Sequence, residues 1–95
     1  MMTRNKQISE WQLDEWQDRF PELLQCDGFE PALLGLCEIK GRAACLAYDH
    51  EKCVNILMDR DGMSHEDAVE YMAFNVTDAW VGPHTPAFVE SVEWV

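Results

Sequence analysis

The stretch 61–95 contains no lysine and no arginine. The formal net charge of the whole chain is -11, and this stretch supplies most of it. Because non-specific binding to nucleic acid needs clustered cations, the charge excludes direct nucleic-acid binding and favours a basic protein surface as partner. The seven carboxylates of the stretch are Asp61, Glu66, Asp67, Glu70, Asp78, Glu90 and Glu93.

Long apolar runs are also missing. No segment approaches the roughly 20 apolar residues of a membrane-spanning helix, and no apolar stretch of a signal peptide follows residues 1–7. A cytoplasmic protein with no membrane partner is therefore expected.

The four cysteines, Cys26, Cys37, Cys45 and Cys53, form no C-x-x-C motif. Their spacing is too even and too wide for a zinc knuckle. We therefore expect free thiols in a reducing compartment, with no metal and no other cofactor.

The chain has 95 residues, of which 47% are hydrophobic, enough for one small domain with a core. We expect a single domain over 1–95, with residues 1–7 flexible. Ser9 and Gln12 form a capping-box pattern and predict a helix from Glu10 to about Phe20, ending before Pro21 or continuing as a turn. Its inner face carries Leu13, Trp16 and Phe20.

Two apolar runs, 32–39 and 43–48, flank Lys40-Gly41-Arg42 and predict a β-hairpin. A helix over 31–39 is the competing interpretation, weakened by Gly35. Ala87 to Val95 reads as a final strand.

Two further helices are predicted between the hairpin and the final strand. Asp49 is a good N-cap for a helix over His50–Arg60, and Gly62 fits its C-terminal cap. Ser64 starts a second helix that should reach about Trp80. The inner faces carry Cys53, Val54, Leu57 and Met58 on the first, and Val69, Met72, Ala73, Val76 and Trp80 on the second.

These elements define an α+β fold: a small single domain with an N-terminal helix, a β-hairpin, two consecutive helices and a C-terminal strand. The expected core is a three-stranded antiparallel sheet with helices on one face.

Several motifs are better explained by structure than by chemistry. The helix pair around Gly62 has helix-turn-helix spacing, but its second helix has no lysine or arginine to contact DNA. The Asp59-Arg60-Asp61-Gly62 run places glycine too early for a calcium loop. A thiol nucleophile would need Cys45 or Cys53 with His50 and Asp49, and no oxyanion loop accompanies them. His84 could bind metal or act as a base; an ordinary loop residue is the simpler interpretation.

Aromatic side chains are predicted on the outer faces of two helices. At about 100° per residue, Phe74 points away from the inner stripe. Trp11 lies opposite Leu13 on the first helix. The acidic aromatic faces comprise Asp67, Glu70, Tyr71, Phe74 and Asp78 on one helix, and Trp11, Asp14, Glu15 and Asp18 on the other.

Aromatic residues ringed by carboxylates are typical of a surface that binds a basic, partly apolar partner. Two alternatives stay open: another element of the domain covers Phe74 and Trp11, or a homodimer buries them.

The second half of the chain resembles a family of short uncharacterised proteins of phages, prophages and some bacteria. The resemblance rests on Tyr48-Asp49 with Lys52, on 56–58, on 61–71, on Phe74-Asn75-Val76 and on 79–82 with Thr85-Pro86. It covers the hairpin weakly and excludes the first helix, and members have an acid where Ala73 stands and another near His84. It brings no catalytic residues and implies a phage-type accessory protein acting in the host cytoplasm.

Together these features predict a non-enzymatic, acidic protein-binding module. Its expected partner is a basic surface of a host or defence protein that itself binds nucleic acid. An inhibitor or nucleic-acid mimic, such as an anti-CRISPR or anti-restriction factor, fits this description. The alternatives are a structural homo-oligomer with no separate partner site, and a small metal- or thiol-dependent enzyme.

Overall fold

The computed structural model describes residues 10–77 and 81–90, and the side chains of 12–76 and 81–90. Within these residues the α+β fold is confirmed, with three α-helices and one three-stranded sheet. No helix among these residues is long and apolar enough to cross a membrane. The elements are α1 (Glu10–Arg19), a 3₁₀ turn (Glu30–Ala32), β1 (Leu33–Cys37), β2 (Cys45–Asp49), α2 (His50–Asp61), α3 (His65–Met72), a π-helical turn (Ala73–Thr77) and β3 (Ala87–Val89).

The ends of α2 and α3 follow the capping residues that the sequence predicts. The Asp49 carboxylate accepts a hydrogen bond from the Lys52 N–H at 3.1 Å, and the Ser64 hydroxyl accepts one from the Asp67 N–H at 3.1 Å. Gly62 ends α2 in the left-handed conformation, with φ of 70°. The predicted cap at Ser9 lies outside the described residues.

The sheet is mixed, with β2 at its centre. The hairpin is confirmed, since β1 and β2 are antiparallel and Leu36 pairs with Leu46. β3 runs parallel to β2, with Phe88 beside Tyr48, so the prediction of an antiparallel sheet is wrong. The physical reason is that α2 and α3 form a crossover, which returns the chain to the sheet in the direction of β2. β3 ends at Val89, and residues 91–95 lie outside the described part.

α1 meets the sheet through Trp16 at Gly35, and its predicted inner residues Leu13, Trp16 and Phe20 are partly buried against the core. Leu46 and Tyr48 point into the core, so Ala47 and its partner Gly35 face the other way. The Trp16 ring lies 3.9 Å from the position that a Cβ on Gly35 would take. The small residues at these paired positions leave space for the indole of Trp16.

Tyr48 lies at the centre of the core and is 2% exposed. Its hydroxyl accepts a hydrogen bond from the Cys26 N–H at 2.8 Å, and its ring stacks on Phe88 with centroids 5.8 Å apart. Burial raises the pKa of Tyr48 to about 12, although the bond from Cys26 lowers it. The buried core side chains are Leu23, Phe29, Ala32, Leu33, Ala44, Leu46, Tyr48, Cys53, Val54, Leu57, Ala68 and Met72.

α3 contacts the core through Ala68 and Met72, which are both fully buried. The expected inner residue Val69 is 38% exposed, so that prediction is wrong. The small Ala68 lets α3 approach the core along the line from Ala68 to Met72, which turns Val69 about 100° away. The α-helix also ends at Met72, earlier than predicted, and continues as the π turn; Trp80 lies outside the described residues.

Arg60 joins the end of α2 to the loop before β1. Its guanidinium donates to the Gly28 carbonyl at 3.0 Å and to the Asp61 carboxylate at 3.1 Å. It also lies over the Phe29 ring, 5.5 Å from the centroid. Gly28 has a φ of +91°, and a Cβ there would come within 2.7 Å of Arg60 Nη1.

We predict that Gly28→Ala destabilises the fold more than Gly41→Ala does. Gly41 also has a positive φ, of +80°, but its added Cβ would meet nothing within 4 Å. Gly41→Ala should cost about 1–2 kcal/mol of backbone strain. Gly28→Ala should cost more than Gly41→Ala, because the Arg60 side chain must also shift away from its carbonyl partner. Urea denaturation measures both, and equal losses would show that the Arg60 contacts contribute nothing.

We also predict that Tyr48→Phe lowers the free energy of unfolding by about 1–2 kcal/mol. The Cys26 N–H loses its acceptor, and an unpaired buried donor costs about that much. Tyr71→Phe removes a hydroxyl from an exposed ring and serves as the control. Indistinguishable urea midpoints for the two variants would contradict the prediction.

Candidate protein-binding surface

A shallow depression of about 450 Å³ lies on the outer side of α3 and the π turn. We call it the Phe74 surface. It contains four of the residues that the sequence singled out, together with Asn75 and Met63. The lining residues are Met63, Asp67, Glu70, Tyr71, Phe74 and Asn75.

The change from α to π geometry shapes this surface. A π turn pairs residues five apart, so one carbonyl at the junction loses its α-helical partner. The Asn75 side chain donates a hydrogen bond to the Tyr71 carbonyl at 3.3 Å. This bond ties the π turn to the last turn of α3 and holds Tyr71 and Phe74 beside each other.

Phe74 is 73% exposed, and the neighbouring Tyr71 is 39% exposed. No described element of the domain covers the Phe74 ring. The sequence left open whether the fold would bury this ring, and the structure places it in solvent. An exposed ring next to a second aromatic is a feature of interaction surfaces more than of ordinary helix faces.

The charge of the Phe74 surface is negative. Asp67 and Glu70 are exposed, and neither forms an ion pair with any described residue. Arg60, which interacts electrostatically with Tyr71, is already held by Asp61. The two carboxylates are therefore free to attract an external cation.

The structure does not add the predicted α1 residues to this surface. Asp14, Glu15 and Asp18 are exposed on α1. None of them lines the depression. The side chains of Trp11 and Asp78 lie outside the described residues. The candidate site is thus reduced to the α3 half of the prediction.

Met63 is the lining residue that sequence reasoning missed. It directly precedes the Ser64 cap, and an apolar residue at that position commonly packs back onto the helix. The position of Met63 before the cap was therefore the signal in the sequence that this side chain packs on α3. It does not show whether the side chain turns to the core or to the outer face. Met63 is half-buried, packs on the core and also contributes one wall of the depression.

A second cleft, of about 290 Å³, lies on the other side of Asn75. Its walls come from the loop after Leu23, from Val76 and from the segment around Pro86. Asp27 is its one charged lining residue. This cleft contains none of the predicted site residues, so the Phe74 surface remains the candidate.

The surroundings of Cys45, Cys53 and His84 bear on the thiol and metal chemistry considered for them. Burial raises the pKa of Cys53 to about 12, and burial and the neighbouring Cys37 thiol raise the pKa of Cys45. His84 Nδ1 lies 2.6 Å from the Ala44 carbonyl oxygen. Raised thiol pKa values disfavour the nucleophilic thiolate. Within 10–77 and 81–90, no three His, Cys, Asp or Glu side chains are grouped to hold a metal ion.

Comparison of the chain with protein-family models, with curated proteins and with solved structures finds no match. The resemblance to short phage and bacterial proteins therefore stays a prediction.

We predict that the protein loses stability as the pH rises above about 9. Burial raises the pKa of the Cys53 thiol from an ordinary value of 9.0 to about 12, so the folded state keeps a proton that the unfolded state loses. The contribution of this thiol to the free energy of unfolding is complete below pH 9. Above pH 9 the free energy of unfolding falls by about 1.4 kcal/mol per pH unit for each proton that the folded state alone retains.

Urea denaturation between pH 8 and 10 measures this slope. Cys53→Ala should make this slope shallower. Cys26→Ser removes the half-buried thiol that interacts with Cys53 and serves as the comparison. Tyr48 adds a similar loss only above pH 10, because its own value rises from 10.0 to about 12. An unchanged slope in Cys53→Ala would contradict the prediction.

Proposed function

We propose that the protein is a non-enzymatic binding module whose Phe74 surface docks on a basic segment of a partner protein. The observation that carries the proposal is the 73% exposure of Phe74 beside two carboxylates without partners among the described residues. An aromatic ring supplies contact area, and the carboxylates select for positive charge.

The energetics of the surface fit such a role. Full burial of a phenylalanine side chain contributes about 1.5–3 kcal/mol, and most of that is available at Phe74 because its ring is in water. Tyr71 adds a second ring at low entropic cost. Asp67 and Glu70 add orientation and faster encounter with a cationic partner.

We further propose that the partner is a nucleic-acid-binding protein of the host or of a defence system. The net charge of -11 complements the cationic surface that such a protein presents to phosphate. A phage-type accessory protein that blocks this surface, as an inhibitor or nucleic-acid mimic, would combine the charge with the aromatic anchor. The family resemblance supports that context.

Variants in matched pairs test the Phe74 surface. Tagged protein captures candidates from host lysate at low salt, and each captured protein is then purified and titrated. Phe74→Ala should weaken the affinity by about 2 kcal/mol, or about thirtyfold. Ile39→Ala, which truncates an aliphatic side chain 52% exposed on the hairpin loop, should change it less than twofold.

A second pair separates local charge from total charge. Asp67→Asn with Glu70→Gln should weaken binding and reduce its salt dependence. Asp14→Asn with Glu15→Gln removes the same charge from α1 and should have a smaller effect. If Phe74→Ala and Ile39→Ala bind every captured protein equally well, the Phe74 surface is not the site.

Self-association is the second candidate, favoured by the same exposed ring. Two copies that each carry -11 repel one another, which favours the cationic partner over a second copy. Light scattering across a range of concentration and salt distinguishes them. A dimer in the wild type that becomes a monomer in Phe74→Ala would support the homo-oligomer instead.

A further inference from the structure

We propose that Cys37 and Cys45 are a reversible redox pair, oxidised to an intramolecular disulfide by low-molecular-weight disulfides such as oxidised glutathione. The proposal is independent of the Phe74 surface. It rests on the register of the hairpin and on the contact between the two thiols.

The two cysteines face each other across the hairpin. Cys37 is the last residue of β1, Cys45 is the first of β2, and the register pairs them directly. Directly opposed residues of antiparallel strands have Cα atoms about 4.5–5.5 Å apart. That distance lies within the range of about 4.4–6.8 Å that a disulfide spans, so the bond needs no large backbone movement.

The side chains already meet. The two thiols are close enough to interact electrostatically, since the Cys37 thiol contributes to raising the pKa of Cys45. Both residues are half-buried, so a small oxidant can reach them. They lie on the sheet face of Gly35 and Ala47, away from the Tyr48 core. A new bond there leaves the core packing unchanged.

The other two cysteines provide the internal comparison. Cys53 is fully buried on α2, and Cys26 is half-buried in the loop after α1. They interact electrostatically near Tyr48, but no strand register aligns them. A disulfide between them would have to form inside the packed core.

The exchange balances with one molecule of oxidised glutathione. One thiol loses its proton and attacks a glutathione sulfur, which breaks the glutathione disulfide and releases one reduced glutathione. The second thiol, deprotonated in turn, attacks the mixed disulfide and releases the other. Two protein thiols are oxidised, one glutathione disulfide is reduced, and the two protons end on the two glutathione thiols. At Cys45 the raised pKa leaves little thiolate for the first attack.

The bond would lie at the base of the loop 38–44, which connects the two strands at the turn end of the hairpin. Glu38 in this loop forms an ion pair with Arg19 of α1, with the atoms 3.5 Å apart. The cross-link would therefore fix the register of β1 on β2 next to the place where α1 meets the hairpin. Oxidation should raise the urea midpoint without changing the fold.

The test equilibrates the full chain in graded mixtures of reduced and oxidised glutathione, starting from both the reduced and the oxidised protein. Acid quenching, alkylation and peptide mapping identify each cysteine's state. Wild type and the variant Cys26→Ser with Cys53→Ala should both give a peptide cross-linked between Cys37 and Cys45. Cys37→Ser should leave Cys45 without a protein disulfide.

The same equilibrium in urea provides the decisive comparison. If the native register holds the thiols together, the disulfide's equilibrium constant should be at least tenfold larger in the folded protein than in the unfolded chain. An equal or smaller constant in the folded protein overturns the proposal. So does a Cys26–Cys53 cross-link as the first product, or mixed glutathione adducts that never resolve.

Discussion

The buried hydroxyl of Tyr48 sets the constraint on which the arrangement of the chain depends. Tyr48 lies on the central strand, where its oxygen cannot reach water, and a buried polar group without a partner is costly. The Cys26 N–H satisfies it, so the loop after α1 must pass over β2. That path brings Phe29 into the core and Gly28 under Arg60, which attaches the end of α2. The stacked Phe88 extends the same contact to β3.

The Phe74 surface follows from this core by a short series of contacts. α2 is fixed by Leu57 inside and Arg60 at its end, and α3 packs through Ala68 and Met72. After the buried Met72 the chain continues as the π turn, on which Phe74 is exposed. The Phe74 ring is therefore not part of the core. The exposure of this ring, beside two carboxylates that form no ion pair with a described residue, is the basis of the proposed partner site.

The features that the sequence predicts well are local ones. Asp49, Gly62 and Ser64 act on backbone groups three or four residues away, so their roles follow from spacing alone. The outward direction of Phe74 follows from helical periodicity in the same way. The parallel pairing of β3, the position of Trp16 over Gly35 and the exposure of Val69 depend on where distant segments meet, which no local pattern encodes. The pairing of Cys37 with Cys45 depends on the register of β1 on β2, which the two apolar runs do not determine.

Charge and contact have different roles in the proposed binding. The net charge is spread over different helices, with Asp14 and Asp18 exposed on α1 and Asp67 and Glu70 exposed on α3. A distributed field speeds the approach of a cationic partner from any direction, but it does not select one orientation. Orientation and residence time require a desolvated contact, and among the described acidic faces that contact is available at Phe74. Salt should therefore act mainly on the association rate, and the aromatic ring mainly on the dissociation rate, because screening weakens long-range attraction more than close packing.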